Sequence, residues 1–88
     1  MRKTWTDEAW DDYLNWQMQD KKTLRKINRL VQDIERNGVS EGIGKPEPLK
    51  GDLQGFWSRR IDEENRIVYN QTPDGAICII ACRGHYDD

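Results

Sequence analysis

The chain is short of most of what would announce a function. Among its 88 residues it has one histidine (His85), two cysteines (Cys78 and Cys82) and one phenylalanine (Phe56). The cysteines do not form a disulfide scaffold: four residues apart along one strand, their thiols would lie about 13 Å from each other, too far to bridge. At that spacing they are expected on one face, as small buried apolar groups, which fits a reducing compartment. A metal site is disfavoured, because Cys78, Cys82 and His85 match none of the common zinc spacings and no fourth ligand is evident. Excess positive charge is missing too, with fourteen basic residues against sixteen acidic ones and a net charge of -2. A nucleic-acid-binding domain usually carries a basic footprint. Splitting the chain does not uncover one: residues 1–44 hold eight charges of each sign, residues 45–86 hold six of each, and Asp87 and Asp88 make the deficit. An anion site here must be built by local placement. There is no apolar run long enough to span a bilayer. Met1-Arg2-Lys3 leads into Trp5-Thr6-Asp7-Glu8 rather than an apolar segment. Neither a signal peptide nor a membrane span is expected, and the expected location is cytoplasmic. Repeats and low-complexity segments are absent.

What is present reads as one small domain over residues 1–88, with a modest core to which the four tryptophans contribute. Its most apolar stretch lies near the end. Ile77 to Cys82, bounded by Gly75 and Gly84, predicts a strand buried on both faces, hence a central one. Arg83, His85 and Tyr86 follow at its exit, so a rigid strand carries a cation, an imidazole and a phenol at its tip.

Upstream, residues 2–5 form a short candidate strand. Thr6 is placed as an N-cap, with Asp7 and Glu8 in the first turn and Trp5 and Trp10 at the spacing of a hydrophobic staple. The helix runs from Asp7 to about Gln19. Asp20 caps a second helix whose apolar stripe is Leu24, Ile27, Val31 and Ile34, with Leu30 beside it. It stops at Asn37-Gly38. Lys21, Lys22, Arg25, Lys26 and Arg29 cover its other side, either as a solvated face or as an RNA or ribosome contact. The two helices are expected to form a hairpin packed on a sheet. From Val39 to Gly55 glycine and proline dissolve the pattern into a long loop. Within it, Pro46 and Pro48 stiffen the backbone around one carboxylate, Glu47. Beyond Gly55 the period is two, predicting strands over 56–61, 66–71 and 77–82 in an antiparallel meander, with turn chemistry at Thr72-Pro73-Asp74-Gly75.

Metal-free RNA cleavage needs a base for the ribose 2′-hydroxyl, a cation for the attacked phosphate, an acid for the departing 5′-oxygen and a group that holds the nucleotide in line. Glu47, Arg66, His85 and Tyr86 are the right types. Lys45, Lys50, Arg59, Arg60 and Arg83 are candidate phosphate contacts. Spacing alone does not bring them together. Only Arg66 and His85, at the ends of antiparallel neighbours, are expected at one edge of the sheet.

Several motifs occur together and in order: Gly44-Lys45-Pro46-Glu47-Pro48-Leu49-Lys50, Gly55-Phe56-Trp57-Ser58-Arg59-Arg60-Ile61, Asn65-Arg66-Ile67-Val68-Tyr69 and Ala81-Cys82-Arg83-Gly84-His85-Tyr86. With Trp5, Glu8, Trp10, Tyr13 and Trp16 in the first helix, nearly the whole chain resembles the YoeB/Txe family of bacterial toxins. The resemblance implies an α+β, RelE-like fold, with two N-terminal helices in a hairpin on a twisted, mainly antiparallel sheet. It implies a ribosome-dependent endoribonuclease that cuts mRNA in the A site without metal or cofactor. Glu47 would be the general base, Arg66 would stabilise the pentacovalent phosphate and His85 would be the general acid. Tyr86 would position substrate and Lys50 would support the phosphate. A cognate antitoxin of the YefM/Axe kind would wrap and inhibit the toxin through its C-terminal segment, and a homodimer stays open. The same scaffold hosts ParE-like inhibitory modules without this chemistry, which is the alternative reading. The chain departs from the family in three places. Asn65 stands where some members have histidine. Gly84 stands where others have an aromatic residue, and is expected to loosen the backbone before His85. Asp87 and Asp88 extend past Tyr86, where their charge favours a protonated imidazole but repels phosphate.

Overall fold

The computed structural model describes residues 2–85. Its local order follows from capping. The Thr6 hydroxyl accepts the Ala9 N–H at 3.2 Å and starts α1 (Asp7–Gln19). The Trp5 and Trp10 rings meet edge to face with centroids 6.0 Å apart, and Tyr13 stacks on Trp10, so the expected staple is formed. Asp20 ends α1 and caps α2 (Lys21–Asn37), accepting the N–H groups of Lys22 and Thr23 and the Thr23 hydroxyl. The Thr23 hydroxyl and N–H, which favour the charged form, hold the Asp20 carboxyl below the usual range. Ile27, Leu30, Val31 and Ile34 are the buried stripe of α2, which ends at Gly38 with φ 88°.

Five strands form one sheet in the order β1-β5-β4-β3-β2, where β1 is Lys3–Trp5, β2 Glu47–Pro48, β3 Trp57–Arg60, β4 Arg66–Gln71 and β5 Ile77–Ala81. β3, β4 and β5 are the expected antiparallel meander. β1 runs parallel to β5 and covers its free edge, so the start of the chain makes its last strand an interior one. The two helices lie on one face over a core that includes Ala9, Ile27, Leu30, Ile34, Ile67, Tyr69, Ile77 and Ile79. The other face carries a smaller cluster of Leu49, Val68 and Ala81, with Leu53, Phe56 and Ile80 partly buried against it.

Three expectations change. β5 is not sealed on both sides: Ile77 and Ile79 are buried, whereas Cys78 and Ile80 are only half-buried, because the far face has no helix layer. The cysteines do not share a face. Tyr69 pairs with Ile79 and Val68 with Ala81, leaving Ile80 as an extra residue. That β-bulge resets the alternation. Ala81 turns to the open face beside Val68, and Cys82 returns to the helix-side core. Burial, with the Asp12 charge adding to it, pushes the Cys82 thiol up to about 12, so it stays protonated and unreactive. Finally, the long loop contains a two-residue edge strand, β2, and a short 3-10 turn at Gly51–Leu53.

Candidate active site

The register of the edge strands gathers charged groups on the open face. Glu47 pairs with Ser58 across β2 and β3, and Arg60 pairs with Arg66 across β3 and β4. Cross-strand partners share a face, and so do residues two apart. Glu47, Ser58, Arg60 and Arg66 therefore all point away from the helices. Two arginines directly opposite repel. The Glu47 carboxylate offsets this, with Oε1 4.0 Å from Arg60 Nη2 and Oε2 4.0 Å from Arg66 Nη1. Arg66 is the more enclosed of the ion-pair partners, with its side chain 13% exposed against 50% for Glu47, and it donates to Ser58 Oγ at 3.3 Å. These long, half-exposed pairs contribute little to stability, about 0–1 kcal/mol each. They leave the carboxylate accessible beside two cations.

The backbone just before His85 is tied to the strand that carries Arg66. On the helix side of the strand exit, Asp12 accepts the Cys82 N–H at 3.2 Å and Trp16 Nε1 donates to the Cys82 carbonyl at 2.9 Å. The Arg83 guanidinium lies over the Trp16 ring, 5.8 Å from its centroid. On the sheet side, the Arg66 N–H donates to the Gly84 carbonyl and the Gly84 N–H to Asn65 Oδ1, both at 2.9 Å. Asp62 in turn accepts from the Asn65 N–H and Nδ2. Gly84 has φ 92° with nothing near its missing Cβ. That conformation favours glycine, and both backbone polar groups of Gly84 are hydrogen-bonded. The residue before Arg66 thus grips the residue before His85, and exposed His85 leaves the sheet beside the Arg66 backbone.

Residues 5–86 match the family model described as the YoeB-like toxin of bacterial type II toxin-antitoxin systems. The chain belongs to this family. It is 56% identical over 86 residues to toxin YoeB of Escherichia coli K12, covering 98% of this chain and all of that one. Its structure is similar to the YoeB/ParE toxin from Agrobacterium tumefaciens, with a TM-score of 0.92 and 46% identity over 98% of this chain and 100% of the other. It is also similar to YoeB of Staphylococcus aureus, solved as a dimer (TM-score 0.90, 48% identity, 98% of each chain) and in a heterotetrameric complex with YefM (TM-score 0.89, 46% identity, 98% of each chain).

In this YoeB-like toxin, Glu47, Arg60 and Arg66 converge, and the backbone of Gly84, next to His85, is bonded to that of Arg66. Lys45, Lys50 and Arg83 are exposed, Arg83 lying over Trp16 on the helix side. Lys45 holds φ 53° next to Gly44, whose carbonyl accepts the Arg60 N–H at 2.7 Å. Tyr86 and the Asp87-Asp88 tail lie outside the described residues. Arg59 is the correction. It is fully buried, and all five of its N–H donors are spent. Nε donates to the Tyr69 hydroxyl, Nη1 to Asp33 Oδ2 and the Ile43 carbonyl, and Nη2 to the Gly38 and Glu41 carbonyls. None is left for a phosphate. The period-two pattern held the clue, since Arg59 shares a face with Trp57 and Ile61, both of which pack in the helix-side core. Sequence reasoning also missed Asp12, Trp16 and Asn65 as the residues that hold the strand exit. Only the adjacency of Asn65 to Arg66 hinted at any of them. Among the described residues, no three His, Cys, Asp or Glu side chains are grouped to hold a metal ion.

Proposed function

We propose that this toxin is an endoribonuclease that cuts mRNA in the ribosomal A site by metal-free acid-base chemistry. The observation that carries the reading is the Glu47 carboxylate set between Arg60 and Arg66 on an open sheet face, with the backbone before His85 bonded to that of Arg66. Glu47 takes the proton of the ribose 2′-hydroxyl, and the 2′-oxygen attacks the adjacent phosphorus. Arg66, assisted by Arg60, neutralises the charge that builds on the phosphoryl oxygens. The bond from phosphorus to the 5′-oxygen breaks, and His85 protonates the departing oxygen. The products are a 2′,3′-cyclic phosphate and a 5′-hydroxyl. Tyr86 positions the nucleotide, and Lys45, Lys50 and Arg83 contact flanking phosphates.

The remaining parts of the reading follow from charge and surface. A chain of net charge -2 attracts free RNA weakly, so the ribosome supplies much of the substrate orientation, and the site of action is the cytoplasm. No helix among the described residues is long and apolar enough to cross a membrane. The partner is an antitoxin of the YefM kind, whose C-terminal segment covers the open face and quenches Glu47 and Arg66. A homodimer is consistent with the S. aureus relative. The test is a purified translation system with a defined mRNA, 5′ ends being mapped by primer extension. Wild type is expected to cut at A-site codons and His85→Ala to lose those cuts while remaining folded. Equal cutting by both would refute the assignment.

A further inference from the structure

Beside the site, two hollows run together between α2 and the loop that joins β3 to β4. One, of about 350 Å³, is lined by Lys22, Thr23, Lys26, Arg29, Ile61 and Asp62. The other, of about 380 Å³, shares Lys26, Ile61 and Asp62 with it and continues along Lys45 to Arg60 and Glu63. Lys22, Lys26 and Arg29 recur at i, i+4 and i+7, one stripe of the helix. Lys26, Arg29 and Lys45 form no ion pair within 4.0 Å among the described residues, although carboxylates outnumber cations in the chain. The Asp62 carboxylate on the groove wall is already engaged by its own loop, accepting from the Glu64 N–H, the Asn65 N–H and Asn65 Nδ2. The lining therefore sets two carboxylates, Asp62 and Glu63, against five cations.

We propose that this groove binds the sugar-phosphate backbone of a single RNA strand, the same strand whose scissile nucleotide lies at Glu47. The proposal rests on the endoribonuclease reading and extends it. Arg60 is the joint: it lines the groove and its Nη2 stands 4.0 Å from Glu47, so a strand leaving the site enters the groove directly. Cations repeated along a wall, over an apolar floor at Ile61, fit a chain of phosphates and riboses better than a single compact anion. Such a channel raises local potential without basic bulk charge, which is how an acidic protein holds a polyanion.

The test measures binding of a short, fully 2′-O-methylated single-stranded RNA, which cannot be cleaved, by fluorescence anisotropy at stepped salt concentrations. The variants are Lys22→Ala/Lys26→Ala/Arg29→Ala and, as a control on the same helix outside the groove, Arg25→Ala/Arg36→Ala, each checked for folding by circular dichroism. Wild type is expected to bind at low salt. The triple variant is expected to lose affinity by about tenfold, with its log–log salt slope reduced by roughly two, about 0.7 for each of three phosphates on a single strand. The control is expected to lose far less. No binding by wild type at low salt, or equal losses in triple variant and control, would overturn the proposal. So would a glutamate-rich peptide that needs the triple's three cations while RNA does not, since that assigns the groove to an acidic protein segment. The probe is not cut, so failure of the groove leaves the nuclease reading standing. A wild type that binds the probe through the groove yet never cuts ribosome-bound mRNA fails the nuclease reading alone.

Discussion

Arg59 and Arg66 sit on neighbouring strands of one sheet and do opposite work. Arg59 faces the helices, is fully buried, and spends its five donors on the Tyr69 hydroxyl, Asp33 and three carbonyls of the loop that follows α2. That loop is wound tightly enough to require glycine: a Cβ at Gly42 would lie 1.8 Å from Asp33 Oδ2, at a φ of 124°. Arg66 faces the open side, where its guanidinium meets Ser58 at 3.3 Å and a half-exposed Glu47 only at 4.0 Å. One arginine is saturated and organises the loop that leads to β2. The other keeps hydrogen-bonding capacity in reserve, which the proposed substrate phosphate would use. A cation with every donor spent on the fold has none left for a ligand, and one with donors to spare is the better candidate for chemistry.

Replacing Arg59 by leucine is expected to give the largest change. It leaves Asp33, the Tyr69 hydroxyl and three loop carbonyls without their donor, a loss of about 3–5 kcal/mol, the range for breaking a buried charge pair. Urea unfolding monitored by tryptophan fluorescence measures it. A loss below about 1 kcal/mol would erase the contrast with Arg66.

Acid gives the next effect. Partial burial pushes the Asp33 carboxyl up, but the hydrogen bonds from Arg59 and the Ile43 N–H, with the Arg59 charge, outweigh it and hold Asp33 below the usual range. A depressed folded-state value means that the Asp33 contribution is complete above the unfolded value of about 3.9 and is lost as pH falls through the lower folded one. Unfolding midpoints from about pH 6 to about pH 2 are expected to fall more steeply for wild type than for Asp33→Asn. Parallel curves would mean that the acid sensitivity lies elsewhere, with Asp20 and Asp74, whose carboxyls are also held low, as the candidates.

A smaller effect is expected at the strand exit. Asn65→Ala removes the acceptor of the Gly84 N–H and is expected to cost about 1 kcal/mol while reducing cleavage through misplacement of His85. Amide hydrogen exchange at Gly84 reads the clamp directly. Unchanged protection in the variant would show that Asn65 does not hold the exit.

Much of this fold was legible because it is local. Thr6, Asp20 and the Trp5–Trp10 pair read as caps and staple from their spacing, and the period-two runs read as a meander. The parallel pairing of β1 with β5 was not legible, since it joins the two ends of the chain. Nor was the bulge at Ile80, which exists only in the register between β4 and β5 and moves Cys82 to the face opposite Cys78. For the site, residue types and the family resemblance named Glu47, Arg66 and His85. The meeting of Glu47 with Arg66 depends on cross-strand register, and the tie between Arg66 and the residue before His85 depends on the Arg66–Gly84 backbone bond and the Asn65 side chain. Arg59 was misread because chemistry was weighed before alternation: its neighbours Trp57 and Ile61 already pointed inward.

The sharpest measurement puts Arg66→Ala beside wild type in two assays on the same preparation, urea unfolding and primer-extension mapping of A-site cleavage on programmed ribosomes. Stability is expected to change by about 1 kcal/mol, far less than for Arg59→Leu, because the largely enclosed Arg66 loses one long hydrogen bond and one long ion pair. Cleavage is expected to fall by about a hundredfold or more, the scale for losing a charge-stabilising donor. A variant that cuts like wild type, or one that loses cutting only because it unfolds, would contradict the division of labour between the two arginines.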